Sequence, residues 1–234
     1  MPLAAVLDHV AVAVPDIDKA LGRWHAELGG GRLGGGDNGV FATRQLRFAG
    51  GGRLELLAPS PAADRPTFVS AFLDRYGAQI HHVTLMVADL RAALAELEQQ
   101  GLDVVDVRFD DPVWYEGFLR PSQVGGLVVQ IAQGALTEDE WARRTGQTPE
   151  DPAPGAARLL GPTLAHPDPG HVRWLWSLLG ATVTGDDTEL CCTWPHSPLD
   201  VVIVAGEPGP RHLRMRGTVP RPAEAGVGPA VVSD

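Results

Sequence analysis

The sequence predicts an α+β protein made of tandem βαβββ modules, two of them paired and a third degenerate. Three observations carry that expectation. The segment Leu7-Asp8-His9-Val10-Ala11-Val12-Ala13-Val14-Pro15-Asp16 recurs as Ile80-His81-His82-Val83-Thr84-Leu85-Met86-Val87-Ala88-Asp89. The spacing is kept further on, where Ala20 and Leu21 reappear as Ala93 and Leu94, inside a helical pattern that follows each copy. A fainter echo, Ala165-His166-Pro167-Asp168 beside Ala13-Val14-Pro15-Asp16, opens the third module.

The first module, residues 5–58, begins with a strand over 7–14, where Val10, Val12 and Val14 share one face and His9, Ala11 and Ala13 the other. Asp16 is placed to cap a helix, because a carboxylate there accepts from backbone N–H groups left open in the first turn. Ile17, Ala20, Leu21, Trp24 and Leu28 follow at the spacing of one helical face until Gly29-Gly30-Gly31 ends it. His25 lies off that stripe and is expected to face solvent. Strands are expected near 31–33, over 39–48 and over 53–57, the last two joined by the turn Ala49-Gly50-Gly51-Gly52. Phe68, Ala71, Phe72 and Arg75 predict a connecting helix over 68–76. The second module, 79–132, repeats the plan with a strand over 80–87 and a helix carrying Leu90, Ala93, Leu94 and Leu97, closed by Gly101. Strands over 102–109, 117–120 and 127–131 complete it.

These paired modules are expected to form one site-bearing domain over 1–134. Beyond it lie a charged stretch, 137–144, and a run of proline and small polar residues, so 135–157 reads as a linker. The third module, 158–216, has the stripe Val172, Leu175, Trp176 and Leu179, with strands over 188–193 and 199–205. Its register puts Gly161 where the other copies have His9 and His82, so this module reads as structural. Residues 217–234, rich in Gly, Pro and Ala, read as a loose tail.

Composition narrows the function classes. A 234-residue chain with 44% hydrophobic residues can bury a core, and a formal charge of −10 argues against general affinity for nucleic acid or anionic membrane. The N-terminus has no basic leader, and no segment approaches the about 18 uncharged residues that span a bilayer, so a cytoplasmic location is expected. Cys191 and Cys192, adjacent in a strand, point to opposite faces, which disfavours a disulfide or a thiolate zinc site. The glycines of 29–39 lack the Gly-Lys-Ser/Thr ending and following helix of a phosphate loop. No nucleophile elbow or zincin helix motif is present.

The last strand of each paired module sets one polar residue among apolar ones: Glu55 in Arg53-Leu54-Glu55-Leu56-Leu57 and Gln130 in Val128-Val129-Gln130-Ile131-Ala132. By alternation, His9, Glu55, His82 and Gln130 line the face opposite the helix-covered core. Two imidazoles, a carboxylate and an amide oxygen, without thiolate, suit a divalent Zn, Co, Ni, Fe or Mn ion with positions open for water or substrate. His81 points the other way and reads as structural. Trp114 and Tyr115 could wall a ligand cavity or cap the core, and Arg44, Arg47 and Arg120 could meet an anionic ligand or stay solvated.

The paired Asp-His-Val and His-His-Val strands, with the Glu-Leu-Leu and Gln-Ile-Ala strands, resemble the vicinal oxygen chelate superfamily over roughly residues 5–132. That group includes glyoxalase I, extradiol dioxygenases, methylmalonyl-CoA epimerase and antibiotic-resistance proteins. Leu56-Leu57-Ala58-Pro59, Phe72-Leu73, Gly77, His81 and His82 look like the epimerase connection between modules. The resemblance implies a metal held by His9, Glu55, His82 and Gln130, and a lyase or isomerase that epimerises a 2-substituted acyl-CoA through a stabilised enolate. Epimerases usually have a glutamate at the position of Gln130, and an amide cannot abstract a proton. Glu55, in the mirror position, then becomes ligand and base, and Asp37 in Gly36-Asp37-Asn38-Gly39-Val40 resembles the second carboxylate. Asp110, Asp111, Tyr115 and Glu116 are other candidates in the matching loop. The alternatives are a glyoxalase-like or dioxygenase-like enzyme, or a protein that sequesters a small molecule without turnover. A small-molecule substrate or ligand is the expected partner, and the third module could extend a sheet or make a homodimer contact.

Overall fold

The first repeat folds as β1 (Ala5–Ala13), α1 (Ile17–Leu21), β2 (Gly31–Gly34), β3 (Phe41–Arg47) and β4 (Arg53–Pro59). After α2 (Phe68–Tyr76), the second folds as β5 (Gln79–Val87), α3 (Leu90–Gln99), β6 (Val104–Asp111), β7 (Trp114–Leu119) and β8 (Val128–Gly134). In this computed structural model, which describes residues 1–217 and 221–234, the eight strands form one sheet in the order β2-β3-β4-β1-β5-β8-β7-β6. By density of contacts the chain divides into two compact units. One comprises Met1–His9, His82–Ala135 and Gly161–Arg211, the other Val10–His81, Leu136–Leu160 and His212–Asp234. The cuts fall inside β1 and β5 themselves.

The repeated aspartates do the same work in each copy. Asp16 Oδ1 accepts from Lys19 N, Asp89 Oδ1 from Ala92 N, and Asp168 Oδ1 from His171 N, so one side chain starts each repeat's helix. The first stripe is not a single α-helix, because α1 passes into a π-helical turn, Gly22–Glu27, that carries the fully buried Trp24. His25 is half-buried rather than free in solvent, its Nδ1 2.7 Å from the Gly30 carbonyl oxygen. In β1, Val10 and Val12 are buried, as is Val14 just beyond it, and so are His9, Ala11 and Ala13. Both faces of this central strand are covered.

The expected linker is a packed segment. Thr137 and Glu140 form a capping box that starts α4 (Glu138–Arg144). Glu138 pairs with Arg47 and Arg53, Glu150 with Arg32, and Asp151 with Arg47. The backbone of the proline-rich stretch is also tied down, with Ala153 N donating to the Gly29 carbonyl and Ala157 N to that of Leu28. Its acidic residues answer the arginines of the first repeat, a complementarity that periodicity does not encode.

The third repeat folds as β9 (Arg158–His166), α5 (Pro169–Leu178), β10 (Thr182–Gly185), β11 (Glu189–Thr193) and β12 (Asp200–Ala205). With β13 (Gly209–Arg216) and β14 (Val231–Ser233) these strands make a second sheet, β10-β11-β12-β9-β13-β14. Its first and last module strands, β9 and β12, pair in parallel, as β5 and β8 do. Gly161 explains the missing histidine: its φ is +138°, and a Cβ there would lie 1.9 Å from the Asp200 carbonyl oxygen. The described part of the tail is not loose. Val231 pairs with Leu213, and Trp24 Nε1 donates to the Val227 carbonyl at 2.6 Å. The two cysteines are not bonded, and burial pushes the Cys192 thiol up. Among the described residues, no helix is long and apolar enough to cross a membrane.

Two stability outcomes follow. Gly161→Ala is expected to lower unfolding free energy by more than about 2 kcal/mol in urea denaturation, since methyl and carbonyl cannot share the space. A neutral variant would contradict this close approach. Arg23 is 3% exposed, and among the described residues its Nε, Nη1 and Nη2 have no hydrogen-bond partner; the Trp24 ring lies 5.0 Å from the guanidinium, and Glu224 and Glu27 act on its charge without bonding to it. Burial lowers its pKa. Arg23→Met is expected to leave the melting temperature unchanged or raise it, because it removes a poorly compensated buried cation. A fall of several degrees would show that Arg23 has a stabilising role.

Candidate metal centre

The four residues singled out by alternation sit on four consecutive strands of the eight-stranded sheet: Glu55 on β4, His9 on β1, His82 on β5 and Gln130 on β8. The register keeps them on one face. Gln45 lies opposite Glu55, and Thr84 opposite Gln130, so each pair projects to the same side. The sheet thus brings three of the four together as potential ligands. His9, Glu55 and His82 each offer one ligand atom, and these atoms lie within 4.8 Å of one another. His9 and His82 are 2% and 5% exposed, their rings edge to face with centroids 6.0 Å apart.

The donor set fits a divalent ion. Two imidazoles and a carboxylate converging within such a span match the ligands of borderline cations, and three protein ligands leave positions for water or substrate. The support around His9 fits as well. Its Nδ1 is 2.8 Å from Asp8 Oδ2, a carboxylate-to-imidazole contact that fixes ring orientation. Gln45 Nε2 donates to Glu55 Oε2 at 3.2 Å and orients that carboxylate in turn.

Gln130 is 7% exposed and engaged at both ends. Thr84 Oγ1 donates to Gln130 Oε1 at 2.6 Å and stands 2.9 Å from His9 Nε2. Gln130 Nε2 donates to Glu116 Oε2 at 2.8 Å, and Trp114 Nε1 donates to the same oxygen at 3.0 Å. A continuous polar chain therefore runs from Asp8 through His9, Thr84 and Gln130 to Glu116 and Trp114. Asp37 is on the exposed loop before β3. The Ser60 hydroxyl and the Gly39 N–H hold its carboxyl below the usual carboxylate range. His81 packs between Phe68 and Phe72, and burial pulls its imidazole down to about 4.

Sequence reasoning missed Asp8, Thr84 and Gln45. Thr84 had a readable signal, since it is the polar residue at the position where the first repeat has Ala11. Asp8 and Gln45 touch His9 and Glu55, and their residue types alone are ordinary for a strand.

A family model of the glyoxalase/bleomycin resistance protein/dioxygenase superfamily matches residues 8–115. A mitochondrial methylmalonyl-CoA epimerase from Bos taurus is 30% identical over 135 residues, 54% of this chain and 73% of that protein. The crystal structure of methylmalonyl-CoA epimerase from Mycobacterium tuberculosis is 28% identical, with a TM-score of 0.50 over 56% of this chain and 89% of that one. A hypothetical protein from Staphylococcus aureus, 10% identical, shares the fold at a TM-score of 0.68 over 98% of this chain and 99% of its own. That last likeness extends through the third repeat.

Metal content measured by plasma mass spectrometry on folded protein is expected to be about one divalent ion per chain, and to be lost in both His9→Ala and His82→Ala. Asp8→Ala should bind the same ion about 10- to 100-fold more weakly, as expected for loss of a carboxylate behind a ligating imidazole. Full metal retention in both histidine variants would refute the site.

Proposed function

Because this chain belongs to the glyoxalase/bleomycin resistance protein/dioxygenase superfamily, we propose that it is a divalent-metal-dependent isomerase acting on the α-proton of a 2-substituted acyl thioester, an epimerase of the methylmalonyl-CoA type. The observation that carries this reading is the convergence of His9, Glu55 and His82, two neutral donors and a carboxylate on one sheet face. Identity to the bovine epimerase, at 30% over 135 residues, supports the substrate class.

An α-proton beside a thioester is a weak acid, so its removal needs the developing negative charge to be held as the proton leaves. A divalent ion at this site would supply Lewis-acid polarisation of the substrate's carbonyl oxygens. The chain's own residues do the rest. His9, with Asp8 behind it, and His82 set the position at which the carbonyl end is held. Glu55, with Oε2 fixed by Gln45, is the carboxylate available to take the proton. The apolar packing of β1 and β5 beneath the site, including Val10, Val83 and Leu85, keeps that side of it dry.

A second reading has one observation in its favour. The residue on β8 is an amide engaged at both ends, where an epimerase is expected to carry a carboxylate. Sequestration of a small molecule without turnover would need no proton-transferring group there.

The test separates the two. Metal-loaded protein incubated with methylmalonyl-CoA in D2O is expected to exchange the α-proton and interconvert the C2 epimers, with both followed by NMR. Chelation should abolish both, and Glu55→Gln should slow them by about 10²- to 10⁴-fold. Binding of the thioester without exchange would overturn the enzyme reading in favour of sequestration.

A further inference from the structure

Gln130 is where the expected ligand set and the hydrogen bonding diverge. Its carboxamide bridges two partners of opposite demand: Thr84 Oγ1 needs an acceptor at 2.6 Å, and Glu116 Oε2 needs a donor at 2.8 Å. A neutral amide meets both at once, whereas a glutamate at this position would set one carboxylate against another. The first repeat uses the same pairing in reverse order. There the amide, Gln45, is on β3 and the carboxylate, Glu55, on β4, while in the second the carboxylate, Glu116, is on β7 and the amide, Gln130, on β8. The carboxylate that the sequence lacks at position 130 stands one strand over. Glu116 and Gln130 also share a face, because Phe118 lies opposite Gln130 in the β7–β8 register and Glu116 is two residues from Phe118.

We propose that Glu116 is the second proton-transfer group of the reaction, and that Gln130 is the residue that positions it, outside the metal's ligand set. This rests on the epimerase reading above. Inversion at a carbon requires the proton to leave one face and a proton to arrive at the other, and one fixed carboxylate serves only one face. Glu55 takes the α-proton and becomes a carboxylic acid; Glu116, entering as the acid, gives its proton to the opposite face and leaves as a carboxylate. The number of protons is unchanged, and turnover in the reverse direction restores the starting state. The contacts on Glu116 leave an atom for this role. Both Gln130 Nε2 and Trp114 Nε1 donate to Oε2, while Oε1 has Arg108 Nη1 at 4.0 Å, beyond hydrogen-bond distance. The side chain is 18% exposed, so it is held yet reachable.

The experiment compares wild type, Glu116→Gln and Gln130→Ala for metal content and for reaction of each C2 epimer of methylmalonyl-CoA in D2O. Metal content should equal that of wild type in both variants. Glu116→Gln should still exchange the α-proton of one epimer while losing interconversion by at least about 100-fold. Gln130→Ala should lower kcat for interconversion with KM unchanged. Interconversion at the wild-type rate in Glu116→Gln would overturn the role of Glu116 and leave the epimerase reading standing. Loss of metal from folded Gln130→Ala would overturn the positioning role and return Gln130 to the ligand set. If wild type itself exchanges no α-proton, the reaction and this role of Glu116 fail together, and the metal content of Gln130→Ala still decides between ligand and positioning residue.

Discussion

The order β4-β1-β5-β8 at the middle of the eight-stranded sheet is the constraint from which the site follows. Each of those strands contributes one of Glu55, His9, His82 and Gln130, and alternation sends all four to the same face. A one-residue slip in any of them would turn its ligand into the core and expose a valine or leucine instead. The burial of Val10, Val83, Leu54 and Val129 therefore does more than stabilise the sheet. It fixes the register that makes His9, Glu55 and His82 converge.

Much of this was legible in the sequence because repetition and period-two alternation are local signals. The strand and helix of each copy, the capping aspartates and the histidine pair could be read from spacing, and α2 falls where the helical pattern put it. What could not be read depends on partners distant in the chain. The acidic residues of 135–157 are linker-like by composition, and they become a packed segment only through Arg32, Arg47 and Arg53. The packing of the described tail residues rests on Val227, Val231 and the indole of Trp24, about two hundred residues away in the chain. The strands β10, β13 and β14 are short or polar, and pairing rather than patterning makes them strands.

The site divides along the same line. The residue types of the candidate site were visible, but the hydrogen bonds that orient them were not. Asp37 resembles a catalytic carboxylate by its neighbours in sequence, and the bonds that hold it, from Gly39 N and the Ser60 hydroxyl, are seen only in the structure. Glu116 was one of four candidates in the matching loop until its contacts with Gln130 and Trp114 distinguished it. The third repeat completes the contrast, since Gly161 shows why the module can be copied without its ligand. Close approach of β9 and β12 leaves no room for a side chain where the others carry histidine.

Two imidazoles and one carboxylate of this sheet are proposed to hold a divalent ion. X-ray absorption spectroscopy of the cobalt- or zinc-loaded chain tests it most directly, because imidazole rings leave a countable multiple-scattering signature around the metal. The expected spectrum shows a shell of nitrogen and oxygen donors with two imidazoles and no sulfur. A shell with no imidazole, or with a sulfur from Cys191 or Cys192, would contradict it.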